Sequence, residues 1–118
     1  MANPYFHAVS SAKTFGGTPE QYQELHDWFD ATKELHGDFR HRALRHHTHG
    51  CFEAERLFGT TLTIQLKNGK TKEVPTRVVA EQHVIEDMGF LPTLGDWLKH
   101  IQPQPWMTRS RRLSKELA

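Results

Sequence analysis

The sequence predicts an α+β fold in which two main helices, a β-hairpin and one or two short C-terminal helices form a single domain. Apolar residues recur at helical spacing in two segments of the N-terminal half, and the spacing then changes to a strand-like alternation around an Asn-Gly turn. The 118 residues are a usual length for one domain and contain no repeat or linker. We therefore expect one α+β domain over residues 1–107, followed by a loose basic tail over residues 108–118.

The first predicted helix runs from Thr18 to about His36, after an irregular lead-in. Thr18 suits the N-cap, Pro19 suits the first helical position, and Gln21 stands where a capping box needs it. Gly37 is expected to end this helix.

The second predicted helix begins after Asp38, which suits an N-cap, and runs to about Phe58 before Gly59. Gly50 lies in its middle, where glycine weakens a helix by up to ~1 kcal/mol relative to alanine. A residue this small predicts close packing against another element at this point.

A β-hairpin follows, with strands expected over Thr60–Leu66 and Thr71–Val79 and an Asn-Gly turn between them. Pro75 predicts an edge position or a break in the return strand. Two short helices then complete the predicted fold, one over Ala80–Met88 and one that begins at Thr93.

Composition excludes several classes of protein. The net charge of +1 argues neither for nor against an acidic partner, and the single cysteine, Cys51, excludes an internal disulfide and favours a reducing compartment. The start of the chain lacks the basic and apolar regions of a signal peptide, and no segment approaches the ~20 apolar residues of a membrane span. We expect a cytoplasmic protein. The sequence also lacks the short motifs of zincins, P-loop proteins and serine hydrolases.

Nine histidines, spread from His7 to His100, are the most informative feature of the sequence. If the second predicted helix is continuous, His46 and His47 lie at the two borders of its apolar stripe, whereas His41 points to the opposite side. A metal site must then combine His46 or His47 with residues from other segments.

Two histidine–aspartate pairs have i,i+4 spacing on predicted helices: His26 with Asp30, and His83 with Asp87. A carboxylate beside an imidazole can act as a second metal ligand or as the acceptor that fixes the tautomer. Glu81 precedes His83 closely enough to join it from the start of the same helix.

Five segments carry a resemblance to a known family: YFHAVSSAKTFGGTPEQY, LHDWFDATK, DFRHRALRHH, EQHVIED and PTLGDWL…PQPWM. Over nearly the whole chain, the sequence resembles small bacterial and phage proteins that share a domain of unknown function. The resemblance implies no mechanism. It implies that the motif segments of the family contain His7, His26, Asp30, His41, His46, His47, Glu81, His83 and Asp87. It also favours His7 as a site residue over His36, His49 or His100.

These features favour a domain that binds a divalent metal ion. Zinc is the simplest choice, and iron, manganese and nickel also suit nitrogen and carboxylate ligands. An open coordination position would permit metal-dependent hydrolysis, whereas a closed site with four protein ligands would be structural. The predicted ligands are His7, His26, His46, His47 and His83, and the predicted supporting carboxylates are Asp30, Glu81 and Asp87.

Two other classes of function stay open. Arg40, Arg42 and Arg45 can contact phosphates, which predicts a nucleic-acid-binding module, although the balanced net charge and the lack of interleaved aromatic residues count against it. Alternatively, the chain is a phage or bacterial interaction or inhibitor protein without catalysis, with Trp97 and Trp106 as anchors.

Overall fold

In the computed structural model, which describes residues 3–109, the chain forms six α-helices and one two-stranded antiparallel hairpin. The predicted α+β class is thereby confirmed, and most of the predicted basic tail lies outside the described residues. The helices are α1 (Pro4–Phe15), α2 (Gln23–Asp30), α3 (Thr48–Phe58), α4 (Thr76–Met88), α5 (Leu94–Leu98) and α6 (Pro105–Thr108), and the strands are β1 (Thr61–Gln65) and β2 (Thr71–Pro75).

Helix α1 occupies the segment predicted to be irregular, so that prediction was wrong. The Asn3 side chain accepts a hydrogen bond from the backbone N–H of Tyr5, and Pro4 fills the first helical position, where no N–H is needed. These two residues are a start signal that the prediction passed over. The helix places His7 and Ser11, one turn apart, in the interior of the protein.

The first predicted helix is α-helical only in its middle part and has 3₁₀ turns on both sides. The 3₁₀ turn Pro19–Gln21 precedes α2, and the 3₁₀ segment Ala31–Glu34 follows it. The predicted capping box does not form, and the Thr18 side chain makes no cap hydrogen bond. The reason is a tertiary contact of Gln21. Its side-chain amide donates a hydrogen bond to the carbonyl of Gln65 in β1 and accepts one from the backbone N–H of the same residue.

The second predicted helix is not continuous. A 3₁₀ helix over Phe39–Leu44 ends, and the chain turns before α3 begins. His47 holds this turn as the N-cap of α3, since its Nδ1 accepts the backbone N–H of Gly50. A Cβ atom on Gly50 would lie 1.7 Å from the carbonyl oxygen of Arg45, so the close packing predicted at this glycine is with its own chain. The prediction that His41 points away from the interior was wrong for this reason, and His41 is fully buried.

The β-hairpin is confirmed, with Gly69 at its turn in the positive-φ region. Strand β2 is shorter than predicted and ends at Pro75, which has no N–H to extend the ladder. Helix α4 therefore begins at Thr76 instead of at Ala80. Gly89 ends it in the left-handed conformation that favours glycine.

Helix α4 is the central element, because α1, α2, α3 and both strands pack against it. The predicted start of the last short helix at Thr93 is confirmed, and Thr93 forms a capping box with Asp96 at the N-terminus of α5. The indole N–H of Trp97 donates to the carbonyl of His46, which ties α5 to the turn before α3. None of the helices within residues 3–109 is long and apolar enough to cross a membrane.

Candidate metal centre

Four side chains from three parts of the chain meet in the interior. Asp30 ends α2, His46 lies in the turn before α3, and His83 and Asp87 lie one turn apart on α4. One potential ligand atom of each lies within 4.8 Å of all the others. Their side chains are at most 4% exposed. We call these four residues the Asp/His cluster.

The imidazole nitrogens and carboxylate oxygens of the Asp/His cluster lie close to one another. Nε2 of His46 lies 3.0 Å from Oδ2 of Asp87, and Nε2 of His83 lies 3.3 Å from the same oxygen. Both nitrogen atoms also lie 3.5 Å from Oδ1 of Asp30. Two nitrogen and two oxygen atoms therefore surround one point, as ligands surround a metal ion.

Several of these buried atoms make no hydrogen bond within residues 3–109. These atoms are the two carboxylate oxygens of Asp30 and Nε2 of His83. A buried carboxylate is costly unless it is paired, hydrogen-bonded or bound to a metal. A folded protein rarely leaves such atoms together without a partner, so this cluster could hold a cation.

Both aspartates of the Asp/His cluster carry a charge. Burial by itself raises the pKa of Asp30, but the neighbouring imidazoles of His46 and His83 lower it well below the usual range. Burial likewise raises the pKa of Asp87, and its hydrogen bonds with His46 and His7 outweigh burial and lower that pKa. Two negative charges therefore lie side by side in the interior.

A chain of hydrogen bonds leads away from His83. Its Nδ1 lies 2.9 Å from Nδ1 of His26, and Nε2 of His26 lies 2.7 Å from Oγ of Ser11. The Ser11 hydroxyl in turn lies 2.7 Å from Oε1 of Gln82. Ser11, His26 and His83 are fully buried.

The direction of this chain follows from its proton count. Burial, together with nearby His83 and His7, lowers the pKa of His26 to about 2, so its ring is neutral and has one N–H. The amide oxygen of Gln82 only accepts, so Ser11 donates to it and must accept from Nε2–H of His26. Nδ1 of His26 then accepts from Nδ1–H of His83. In a neutral His83, the lone pair of Nε2 therefore faces the Asp/His cluster, as in a metal ligand.

His7 supports the cluster through Asp87. Nε2 of His7 lies 3.1 Å from Oδ1 of Asp87, and Nδ1 lies 2.7 Å from Oε1 of Glu86. Both nitrogen atoms donate, because an ionised carboxylate only accepts, and His7 is therefore an imidazolium. Burial alone lowers the pKa of His7, but its bonds to Asp87 and Glu86 outweigh burial and raise it. His7 thus orients Asp87 and has no nitrogen free for a metal.

His47 and Glu81, which were predicted as a ligand and a supporting carboxylate, lie outside the cluster. Nδ1 of His47 accepts from Gly50, and Nε2 donates to the carbonyl of Ala43. Both of its nitrogen atoms therefore hold the turn before α3. Glu81 lines a surface cleft beside Arg77. Neither residue belongs to the Asp/His cluster.

Four residues around the cluster were not among those predicted for the metal site: Ser11, His41, Arg42 and Gln82. The Asn-Pro start of α1 was the signal for Ser11, because a helix there places it on the same face as His7. The interrupted second helix brings in His41 and Arg42, and no local pattern predicts that interruption. No pattern in the sequence indicated that Gln82 would lie near the cluster.

The three arginines of the nucleic-acid alternative do not share one surface. Arg40 pairs with Asp38 in an exposed contact. Arg42 lies beside the Asp/His cluster and is 15% exposed. Arg45 donates to the carbonyl of Trp28 and stacks 4.1 Å from its ring centroid. Because Arg42 and Arg45 serve internal contacts, this geometry does not favour a phosphate-binding face.

The fold and the cluster define a small α+β domain with a buried site of two histidines and two aspartates. A family model described as a domain of unknown function (DUF6915) matches residues 2–107, and the chain belongs to this family. This finding agrees with the resemblance seen in the sequence, while a bacterial or phage source stays an expectation. No curated protein and no solved structure gives a significant match. The function must therefore be argued from the site.

Proposed function

We propose that this protein binds one divalent transition-metal ion through Asp30, His46, His83 and Asp87. One observation carries the proposal: four buried ligand atoms lie within 4.8 Å of one another, and both oxygens of Asp30 lack a hydrogen-bond partner in the described part of the chain. A dication would neutralise the two carboxylates and accept the lone pair of His83. It would thus remove the cost of two like charges in the interior.

The donor set narrows the choice of metal. Two imidazole nitrogens and two carboxylates suit zinc, iron, manganese or nickel, and zinc comes first because it accepts four such ligands tetrahedrally. The one thiol in the chain does not compete, because burial raises the pKa of Cys51 to about 12 and a thiol must be deprotonated to bind a metal.

The proposed ion would be held firmly and would connect distant parts of the chain. Its ligands come from α2, from the turn before α3 and from α4. Four buried protein ligands are typical of a structural site, whereas hydrolysis needs a further position for water or substrate. We therefore assign the metal a stabilising role first, and hydrolysis would require a position beyond these four ligands.

Elemental analysis of the protein, purified without a tag or a chelator, tests this proposal. We expect about one metal ion per chain, as for a mononuclear site. His83→Gln and Asp30→Asn each remove one ligand and should lower the metal content. His100→Gln changes an exposed histidine and serves as the matched control, with unchanged metal content.

If a variant fails to fold, reconstitution of the wild-type protein with metal tests the proposal instead. Metal-free, folded protein is dialysed against zinc, iron(II), manganese and nickel in separate experiments. Tight uptake of one of these ions supports the proposal. Folded wild-type protein that takes up none of them rejects it.

A further inference from the structure

The C-terminal end of the described chain exposes large apolar side chains to solvent. Residues 101–109 are all exposed, and we call residues 101–108 the C-terminal arm. Trp106 of the arm is 70% exposed, and Ile101 and Met107 are exposed beside it in the sequence. The family model extends to residue 107, so the arm is part of the domain that the family shares. Exposed tryptophan and methionine side chains are typical of surfaces that bind another protein.

An apolar groove lies close to the residue at which the arm begins. The groove has a volume of about 340 Å³ and includes His100 in its lining. Its apolar walls are formed by Met88, Phe90, Pro92 and Trp97. The indole N–H of Trp97 donates to the carbonyl of His46, and the thioether of Met88 accepts from Arg42. None of residues 101–109 lines the groove, so its walls are held in place without the arm.

The sequence of the arm directs Trp106 away from the groove of its own chain. Pro103 and Pro105 fix their own φ angles, and each restricts the residue before it to an extended conformation. Gln104 has this conformation, with φ −125° and ψ 150°. An extended segment rises about 3.1 Å per residue, so the spacer from Ile101 to Pro105 spans roughly 12 Å. Because a short, stiff spacer does not readily reverse, Trp106 is better placed to contact a second chain.

The arm and the groove are complementary in their chemistry. The arm presents an indole and a thioether, and aromatic and thioether walls are good contacts for both groups. The rim of the groove carries charges of both signs, and Nζ of Lys99 lies 3.6 Å from Oδ1 of Asp96. The rim therefore requires no charged ligand. The groove suits an aromatic side chain, and the arm of the same protein carries one.

We propose that two copies of this chain form a two-fold symmetric dimer in which each C-terminal arm places Trp106 in the apolar groove of the other copy. Both surfaces lie on one chain, so a single two-fold axis satisfies both at once. If each arm buries roughly 300–400 Å² and covers a similar area of groove, the two contacts bury roughly 1,200–1,600 Å² in total, as stable interfaces do. The proposal does not depend on the proposed metal site.

Sedimentation equilibrium of the full chain over a range of concentrations tests the proposal, and we expect a dimer. Trp106→Ala removes the anchor of the arm, and Phe90→Ser removes an aromatic wall of the groove. Each should raise the dissociation constant of the dimer at least about tenfold. Phe39→Ser changes an exposed phenylalanine outside the arm and the groove and serves as the matched control. All three side chains are exposed, so the variants should fold, which circular dichroism checks.

A mixture of the two variants distinguishes exchanged arms from other interfaces. A mixed dimer contains one intact contact, between Trp106 of the Phe90→Ser chain and the groove of the Trp106→Ala chain. Neither variant by itself can form such a contact. We therefore expect dimers in the mixture at concentrations at which each variant alone is monomeric.

Three results would overturn the proposal. The first is a wild-type chain that stays monomeric at every concentration, whether the arm lies in its own groove or in solvent. The second is a dimer that neither Trp106→Ala nor Phe90→Ser weakens, and the third is a mixture that forms no more dimer than its two components. If Phe90→Ser does not fold, Trp106→Ala and Met107→Ser in the exposed arm decide, and a dimer that neither weakens contradicts the exchange of arms.

Discussion

Single residues in this protein show that burial does not determine what a histidine does. Six histidines are at most 1% exposed, yet the partners of their ring nitrogens assign them different roles. His46 and His83 direct a nitrogen into the Asp/His cluster. His7 and His26 orient a neighbour of the proposed metal, and His47 caps a helix. The partner of each ring nitrogen is therefore the informative property.

The capping role of His47 predicts a stability effect without loss of metal. His47→Ala should lower the free energy of unfolding by about 1–2 kcal/mol, because the backbone N–H of Gly50 loses its acceptor. Urea denaturation measures this change, and His47→Asn, which keeps an acceptor at the N-cap, should recover most of the stability. A folded His47→Ala protein that has lost its metal would show that His47 is a ligand after all.

The hydrogen-bonded chain behind His83 predicts a change in metal affinity. Ser11→Ala removes the acceptor for Nε2–H of His26, so the tautomer of His83 is no longer fixed. We expect metal affinity to fall roughly 10–100-fold, as for other partners of metal-bound histidines. Competition with a chromophoric chelator measures it. Thr14→Ala, on the exposed side of the same helix, is the control, and equal affinity in the two variants would contradict the role of this chain.

At the scale of elements, the turn between the 3₁₀ helix and α3 decides which side chains face the interior. A continuous helix would place His41 and His46 on different sides. The interruption allows both to be buried, and Thr48 N–H bonds the carbonyl of Pro92 instead of a preceding helical residue. Gly50 is required here because of its close approach to Arg45.

Gly50→Ala should therefore be severely destabilising. Its Cβ would lie 1.7 Å from the carbonyl oxygen of Arg45, so the backbone of the turn must move. We expect the free energy of unfolding to fall by roughly 3 kcal/mol or more, and metal affinity to fall because His46 moves with the turn. Gly37→Ala, where a Cβ meets nothing within 4 Å, should change stability little. Thermal and urea denaturation compare the two variants, and similar stabilities would contradict this account of the turn.

At the scale of the whole molecule, the proposed metal would add to the stability that a modest hydrophobic core provides. The cluster joins α4 to two other segments, α2 and the turn before α3. A metal that binds only the folded state stabilises it according to its concentration and affinity.

Removal of the metal should lower the melting temperature. At a free metal concentration of ~100 times Kd, binding adds about 2.7 kcal/mol to the free energy of unfolding. For a chain of this size, that corresponds to a shift of roughly 10 °C, which calorimetry with and without a chelator measures. The double variant Asp30→Asn, Asp87→Asn should not respond to the chelator. A metal-loaded wild type with the same insensitivity would contradict the stabilising role.

Local patterns in the sequence were sufficient to predict the structural features that depend on residues close together along the chain. The Asn-Gly turn predicted the hairpin, and the i,i+4 spacing of His83 and Asp87 predicted that these two side chains share a face of one helix. The start of α1 was equally local, in Asn3 and Pro4, and was overlooked. The α+β class and the α4 part of the candidate site were therefore predictable.

Only the tertiary structure decided how the remaining residues meet. Asp30 reaches α4 from the end of α2, and His46 reaches it from the turn before α3, through contacts between separate segments of the chain. Periodicity holds no information about such contacts. The two aspartates, which were predicted as supporting residues, are therefore members of the Asp/His cluster. His7 and His26, which were predicted as ligands, instead contact cluster residues, His7 through Asp87 and His26 through His83. The sequence determined which residues were available for a metal site, and the packing of separate segments decided which of them converge, because distances between segments are set by the whole fold.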